Sequence, residues 1–174
     1  MAYGPNSMAG IINLVSNEPT DFFDFNTQIS FSSNNGYHIS SVLSIPFHKN
    51  LLSRFTIMNN YTDGMIVNKF KNISNSNSKD EKLFRGKFTY TPDNSTEINL
   101  TLYNIDLNNK YDVWTPDNNG FTTFTDYQGY DKQNTKAFSL KSIFQIDRGS
   151  IINISTYSDN QMTYSYDGDW GNNE

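Results

Sequence analysis

Alternating polarity limits the folds open to this chain more than any other feature of its sequence. From Asp21 onward, segments of about ten residues alternate apolar with polar side chains, and a turn or a polar loop follows each one. Because successive side chains of a strand point to opposite faces, each segment predicts a strand with one apolar and one polar face. Seven segments show this pattern: 23–33, 37–47, 51–61, 82–91, 96–106, 135–146 and 150–161. We therefore predict an all-β fold, an antiparallel meander of about seven strands.

The apolar side chains of each segment are assigned to a common face of the predicted sheet. In the fourth segment, Phe84 lies on that face and Lys87 on the other. In the seventh segment, Ile152 and Ile154 are assigned to the apolar face. Aromatic residues stand at several strand ends on this face: Tyr37, Phe47, Tyr61 and Tyr90. Transmembrane barrels place interfacial girdles of aromatic residues at such positions.

The predicted connections between the strands differ in length in a regular way. Residues 34–36, Asn-Asn-Gly, form a tight hairpin turn, because Asn and Gly tolerate positive φ. The connections 48–50, 92–95 and 147–149 are short, and those at 62–81 and 107–134 are long polar loops. Successive connections of a meander lie at opposite ends of the sheet, and every second connection lies at the same end. The three short turns therefore share one end. Outer-membrane barrels show this asymmetry, whereas a soluble sandwich has no reason to keep it.

Composition excludes several classes of protein. Only 36% of the residues are hydrophobic and the mean hydropathy is -0.64, but 15% are aromatic, which favours half-apolar strands over disorder. The net charge of -5 argues against a nucleic-acid partner. Without cysteine, neither a disulfide nor a thiolate metal site can form. No apolar run is long enough to predict a transmembrane helix, and no signal peptide precedes the first strand, so for an exported protein we expect that the start is missing.

The N-terminal residues 3–19 form an ordered motif. A glycine-bounded turn, 4–10, precedes a short apolar run, 11–15, and Pro19 ends it. This motif resembles the end of the plug domain in TonB-dependent outer-membrane receptors. The stretches 44–46 and 85–87 resemble the first barrel hairpins of the same family, and 164–170 is similar to an acidic-aromatic loop found in some of its members.

The resemblance implies two parts. Residues 1–20 are expected to be the C-terminal end of the plug domain, and residues 21–174 the N-terminal part of a transmembrane β-barrel. Such a piece would form a partial barrel, a curved open sheet, in a bacterial outer membrane. The implied function is energised uptake of a scarce nutrient such as an iron–siderophore complex, without catalysis and without a cofactor. The implied partners are outer-membrane lipid, the small-molecule ligand and the TonB complex, which would act through plug residues that this chain does not contain.

Two other functions remain open on the residues alone. A soluble all-β binding module, such as an adhesin or a carbohydrate-binding domain, would pack Phe84, Leu100 and Phe138 against a second sheet. A barrel would leave the same side chains facing lipid. A secreted β-rich hydrolase is the third reading, but no convincing pair of acids and no nucleophile motif supports it.

The candidate ligand-binding residues lie in the predicted extracellular loops and combine flat rings with carboxylates. They are Tyr111, Trp114, Asp117, Tyr130, Asp167, Asp169 and Trp170, and Asp112 belongs to the same run. Aromatic faces stack on sugars and on planar chelates, and they attract cations. Carboxylate clusters can also bind calcium. No residue is predicted to be catalytic, and none is assigned as a metal ligand.

Overall fold

A computed structural model describes residues 15–115, 117 and 119–172. Most of the N-terminal motif, residues 3–14, lies outside these ranges. The described residues form nine strands: β1 (Asp24–Ser32), β2 (Gly36–His48), β3 (Leu51–Thr62), β4 (Val67–Asn68), β5 (Lys79–Asp93), β6 (Thr96–Lys110), β7 (Thr122–Thr123), β8 (Tyr130–Ile146) and β9 (Gly149–Ser165). They contain no helix that is long and apolar enough to cross a membrane.

Seven of the strands form one antiparallel sheet in the order β1-β2-β3-β5-β6-β8-β9. Each strand pairs with the next long strand along the chain, and the sheet remains open. The predicted all-β meander of seven strands is therefore confirmed. The two remaining strands, β4 and β7, pair with each other outside this sheet.

The strand register separates the two faces of the sheet. One row of directly paired residues crosses it on the apolar face: Phe25, Leu43, Phe55, Gly86, Leu102, Phe138 and Tyr157. The adjacent row crosses it on the polar face: Asp24, Ser44, Arg54, Lys87, Thr101, Ser139 and Thr156. Because directly paired residues share a face, each face keeps its chemistry across nearly the whole width of the sheet.

The apolar face is exposed. Phe84 is 38% exposed and Phe138 42% exposed, and Leu100 on the same face is also partly accessible. Within the described part of the chain, the long strands contact only their neighbours in the sheet. No second sheet therefore covers this face there, as a sandwich would require.

The turns agree with the predicted alternation, but the strands run further than predicted. Asn34 and Asn35 have φ of 58° and 54°, as a tight hairpin turn requires. At the long-loop end, β6 continues to Lys110 instead of residue 106, and β8 begins at Tyr130 instead of residue 135. Residues 107–110 pair in unbroken register with 130–133. The ladder therefore continues through Asn- and Lys-rich sequence whose own strand propensity is low.

The predicted face of Ile152 and Ile154 is wrong. Ile154 pairs with Lys141 and Ile152 with Ile143, on the polar side, and Tyr157 takes the position beside Phe138. The two-residue turn 147–148 sets Gly149 opposite Ile146 and so fixes the register of β9. A shift of one residue exchanges every side chain between the faces, so the turn overrides the apolar pattern of β9.

The polar face holds the segment that precedes β1. Nζ of Lys87 lies 2.7 Å from Oε1 of Glu18 and donates to the carbonyl oxygens of Ser16 and Asn17 at 3.3 and 3.2 Å. Beside this contact lies a polar cavity of about 420 Å³, lined by Glu18, Pro19, Lys87, Thr89, Glu97, Asn99, Thr101, Ser139 and Lys141. The two faces therefore have different surroundings: one is exposed and the other carries the N-terminal segment.

Candidate ligand-binding site

The two long loops are joined to each other. Strand β4 in the first loop pairs in parallel with β7 in the second. The amide of Val67 donates to the carbonyl of Phe121, and that of Lys69 to the carbonyl of Thr123, both at 2.9 Å. Gln128 adds a hydrogen bond from its side chain to the carbonyl of Ser76 at 2.9 Å. The loops are therefore one folded unit, where the sequence predicts two polar loops.

A buried carboxylate holds this unit together. Asp112 is 2% exposed and accepts three hydrogen bonds from side chains that are also buried. Nδ2 of Asn68 and Oγ1 of Thr123 donate to Oδ2, both at 3.0 Å, and Oγ1 of Thr125 donates to Oδ1 at 2.7 Å. Because Asn68 comes from the first loop and the threonines from the second, Asp112 links both. Its position assigns it a structural role.

Five rings form an aromatic cluster above this buried carboxylate network: Tyr111, Trp114, Tyr164, Tyr166 and Trp170. Trp114 and Trp170 stack with their centroids 6.1 Å apart and an interplanar angle of 24°. Tyr111 meets Tyr164 edge-on at 5.1 Å, and Nε1 of Trp114 donates to the hydroxyl of Tyr111 at 3.2 Å. Trp114 and Trp170 remain 45% and 40% exposed, so their rings are accessible to a ligand.

The cluster lies on the polar side of the sheet, at its long-loop end. Tyr164 pairs with Asp131 in the register of β8 and β9, on the same face as Ser139 and Lys141. That is also the face on which Lys87 holds the N-terminal segment. The structure thus brings together three predicted residues, Tyr111, Trp114 and Trp170. It adds Tyr164 and Tyr166, which the sequence prediction does not include.

Hydrogen bonding raises the pKa of one phenol hydroxyl in the cluster, that of Tyr164. The hydrogen bond with Tyr111, together with burial and the nearby charge of Asp131, raises the pKa of Tyr164 from 10.0 to about 12. The phenol is therefore neutral over the whole physiological range. Tyr164 therefore offers a ring face and a hydroxyl group without adding negative charge.

The three predicted aspartates form turns beside the cluster. Asp117 accepts from Thr115 and Asn119, and these hydrogen bonds lower its pKa. Asp169 accepts from the amide of Gly171 at 2.9 Å. Burial raises the pKa of Asp167, but hydrogen bonds with Asp169 and with backbone amides outweigh it, and the pKa is lowered overall. The carboxylates of Asp117 and Asp167 are therefore anionic at neutral pH.

Tyr130 lies apart from the other predicted residues. It is the first residue of β8, not a loop residue, and its ring is on the opposite face of the sheet from Tyr164. Nζ of Lys110 and Nζ of Lys132 lie 4.2 and 4.5 Å from the centroid of this ring. Tyr130 thus holds two ammonium groups on the far side of the sheet.

The described residues offer no arrangement of side chains suited to bind a metal ion. They contain no group of three or more His, Asp or Glu side chains arranged to hold a metal ion. Each predicted aspartate already accepts hydrogen bonds from its own turn. Comparison with protein-family models, with curated proteins and with solved structures found no match to this chain.

Proposed function

We propose that this chain is part of an outer-membrane receptor of the TonB-dependent type, which takes up a small molecule and catalyses no reaction. In this proposal, the seven long strands are part of the barrel wall. Their apolar face contacts lipid and their polar face lines the interior. The aromatic cluster contacts the ligand at the outer mouth. TonB acts through the plug domain of the receptor.

The difference between the two faces carries the proposal. The polar face holds residues 16–18 through Lys87, as a barrel interior holds a plug. The apolar face leaves large side chains such as Phe84, Leu102 and Phe138 between 37% and 42% exposed. An exposed apolar surface of that extent is unfavourable in water and favourable in a bilayer.

The ends of the sheet support the same proposal. Turns 49–50, 94–95 and 147–148 lie at one end, and the joined loops lie at the other. Stacked Tyr37 and Tyr61, with ring centroids 5.4 Å apart, lie near the loop end of the apolar face, and Tyr90 lies near the turn end. Barrels combine this asymmetry with aromatic side chains at both interfaces.

Two single-cysteine variants test the proposal, because the chain has no cysteine of its own. Phe138→Cys places a fluorophore on the apolar face, and the neighbouring Ser139→Cys places it on the polar face. After reconstitution in bilayers that contain brominated lipid, we expect quenching at position 138 and little at 139. The matched pair differs by one residue, so incorporation of the protein into the bilayer is controlled internally.

Equal quenching at the two positions would argue against a barrel wall. A second readout is the behaviour of the chain in water. The edges of β1 and β9 are unpaired within the described residues, so we expect inclusion bodies or a requirement for detergent. A monomeric, soluble product that unfolds cooperatively would favour a soluble all-β binding module instead.

A further inference from the structure

The surroundings of the aromatic cluster are acidic. The segments that supply its rings, 111–129 and 164–172, contain five aspartates and no Lys, Arg or His. Asp167 and Asp169 lie three positions and one position before Trp170, and Asp131 is paired with Tyr164. Because Tyr164 itself stays neutral, the charge near the rings comes from these carboxylates. A ligand that approaches the cluster therefore meets a negative potential.

The nearest basic residues are directed elsewhere. Lys110 is the last residue of β6 and Lys132 lies near the start of β8, but their ammonium groups lie on the other face of the sheet, over Tyr130. In the first long loop, Lys69 lies over the ring of Phe124, 5.6 Å from its centroid. Lys71 and Lys79, the other basic residues of the 62–81 segment, are exposed. The cations of this region are thus held away from the cluster rings or in open solvent.

We infer that the aromatic cluster binds an organic cation, such as a methylated ammonium group or a positively charged ring, and not an anionic chelate. This inference rests on the proposed function and names the class of its ligand. Exposed indole and phenol faces attract cations through the ring quadrupole. Carboxylates beside the rings add to that attraction and repel anions. An anionic chelate would need basic groups at the position where this chain has aspartates.

The two tryptophans make the test specific. Trp114 and Trp170 are the only tryptophans in the chain, and both are in the cluster. Intrinsic fluorescence of the 174-residue chain in a non-ionic detergent therefore reports on this site alone. The probes are phenyltrimethylammonium and benzenesulfonate, which share one ring and carry opposite charges. We expect the cation to bind with a Kd at least about tenfold lower than that of the anion.

Variants separate the contribution of the rings from that of the carboxylates. Trp114→Phe keeps an aromatic face and should weaken cation binding less than Trp114→Ala. In both variants, Trp170 remains as the fluorescent reporter. Asp131→Asn and Asp169→Asn should each weaken cation binding about threefold and reduce the preference over the anion. Asp147→Asn removes the same charge at the short-turn end of the sheet and should change neither.

Three results would overturn the inference: equal affinity for the two probes, preference for benzenesulfonate, or a cation preference that Asp131→Asn and Asp169→Asn leave unchanged. Raising the salt concentration gives a further readout without any substitution, because screening should reduce the preference. The lipid-quenching experiment reports on the apolar face only. A failure of cation binding with intact quenching at position 138 would reject the ligand class and leave the receptor proposal standing.

Discussion

Nζ of Lys87 lies 2.7 Å from Oε1 of Glu18, so a residue in the middle of β5 holds the chain that precedes β1. The side chain of Lys87 is only 10% exposed, whereas that of Glu18 is 63% exposed. The ion pair itself is therefore screened by solvent, and the two backbone carbonyls share in the attachment. One ammonium group thus serves three acceptors from consecutive residues.

Substitution of Lys87 should release this segment. In Lys87→Met, the carbonyls of Ser16 and Asn17 and the carboxylate of Glu18 lose their shared donor, and limited proteolysis should cleave within residues 15–20 at least about tenfold faster. Glu18→Gln should have a smaller effect, because the carbonyls keep their donor. Lys141→Met on the same face is the matched control, and equal acceleration there would contradict the assignment.

Removal of the Asp112 carboxylate should loosen the joined loops and leave the sheet intact. Asp112→Ala leaves the hydroxyl groups of Thr123 and Thr125 without their acceptor, which costs about 1–3 kcal/mol for each buried group, whereas Nδ2 of Asn68 keeps its hydrogen bonds to Thr125. We expect loss of the near-ultraviolet circular dichroism of the Trp114–Trp170 pair with unchanged far-ultraviolet signal. Asp126→Ala, at an exposed position of the same loop, should retain both signals.

Two glycines of the second long loop should respond differently to alanine. A Cβ on Gly129, whose φ is +64°, would come within 2.5 Å of the carbonyl oxygen of Tyr111 and 2.6 Å of that of Ser165. A Cβ on Gly120, whose φ is +74°, would meet nothing within 4 Å. Gly120→Ala should therefore cost only the backbone strain, about 1 kcal/mol. Gly129→Ala should in addition displace the aromatic cluster.

The measurement is again the near-ultraviolet signal of the tryptophans, together with the midpoint of thermal unfolding of the loop unit. Similar effects of the two substitutions would mean that the close approach at Gly129 does not hold the loop against β9.

Titration of Tyr164 should be delayed at high pH. Its pKa in the folded chain, about 12, exceeds the ordinary value of 10.0, so its interactions stabilise the fold fully below pH 10 and are lost as the pH rises through about 12. The difference in tyrosinate absorbance between the parent chain and Tyr164→Phe isolates this group among 11 tyrosines. A difference spectrum that titrates near 10 would contradict the hydrogen bond with Tyr111.

The sheet could be predicted from the sequence because its determinants are local. Alternation with period two identified all seven long strands, and the Asn34-Asn35 pair identified the first turn. The face of β9 could not be predicted in the same way. Its isoleucines suggest one register, but the two-residue turn after Ile146 imposes the other. Non-local pairing with β8 decided the outcome.

The loop unit could be predicted only in part. The aromatic residues Tyr111, Trp114 and Trp170 were predicted as binding residues because a polar loop does not need aromatic side chains for its own structure. Asn68 and Asp112 lie 44 positions apart, and no sequence pattern shows that they meet in a buried hydrogen bond. Tyr164 and Tyr166 alternate at the end of a strand, where rings are common, so their membership of the cluster gave no distinct signal.

The parallel pairing of β4 with β7 has a consequence for any attempt to exchange the loops of this chain. Val67 and Thr122 are direct partners across two insertions that the sequence separates by β5 and β6. A loop transplanted alone would lose its partner strand, and Asn68 would be separated from Asp112, Thr123 and Thr125. The two loops must therefore be exchanged together, as one module, if their pairing and the hydrogen bonds of Asp112 are to be kept.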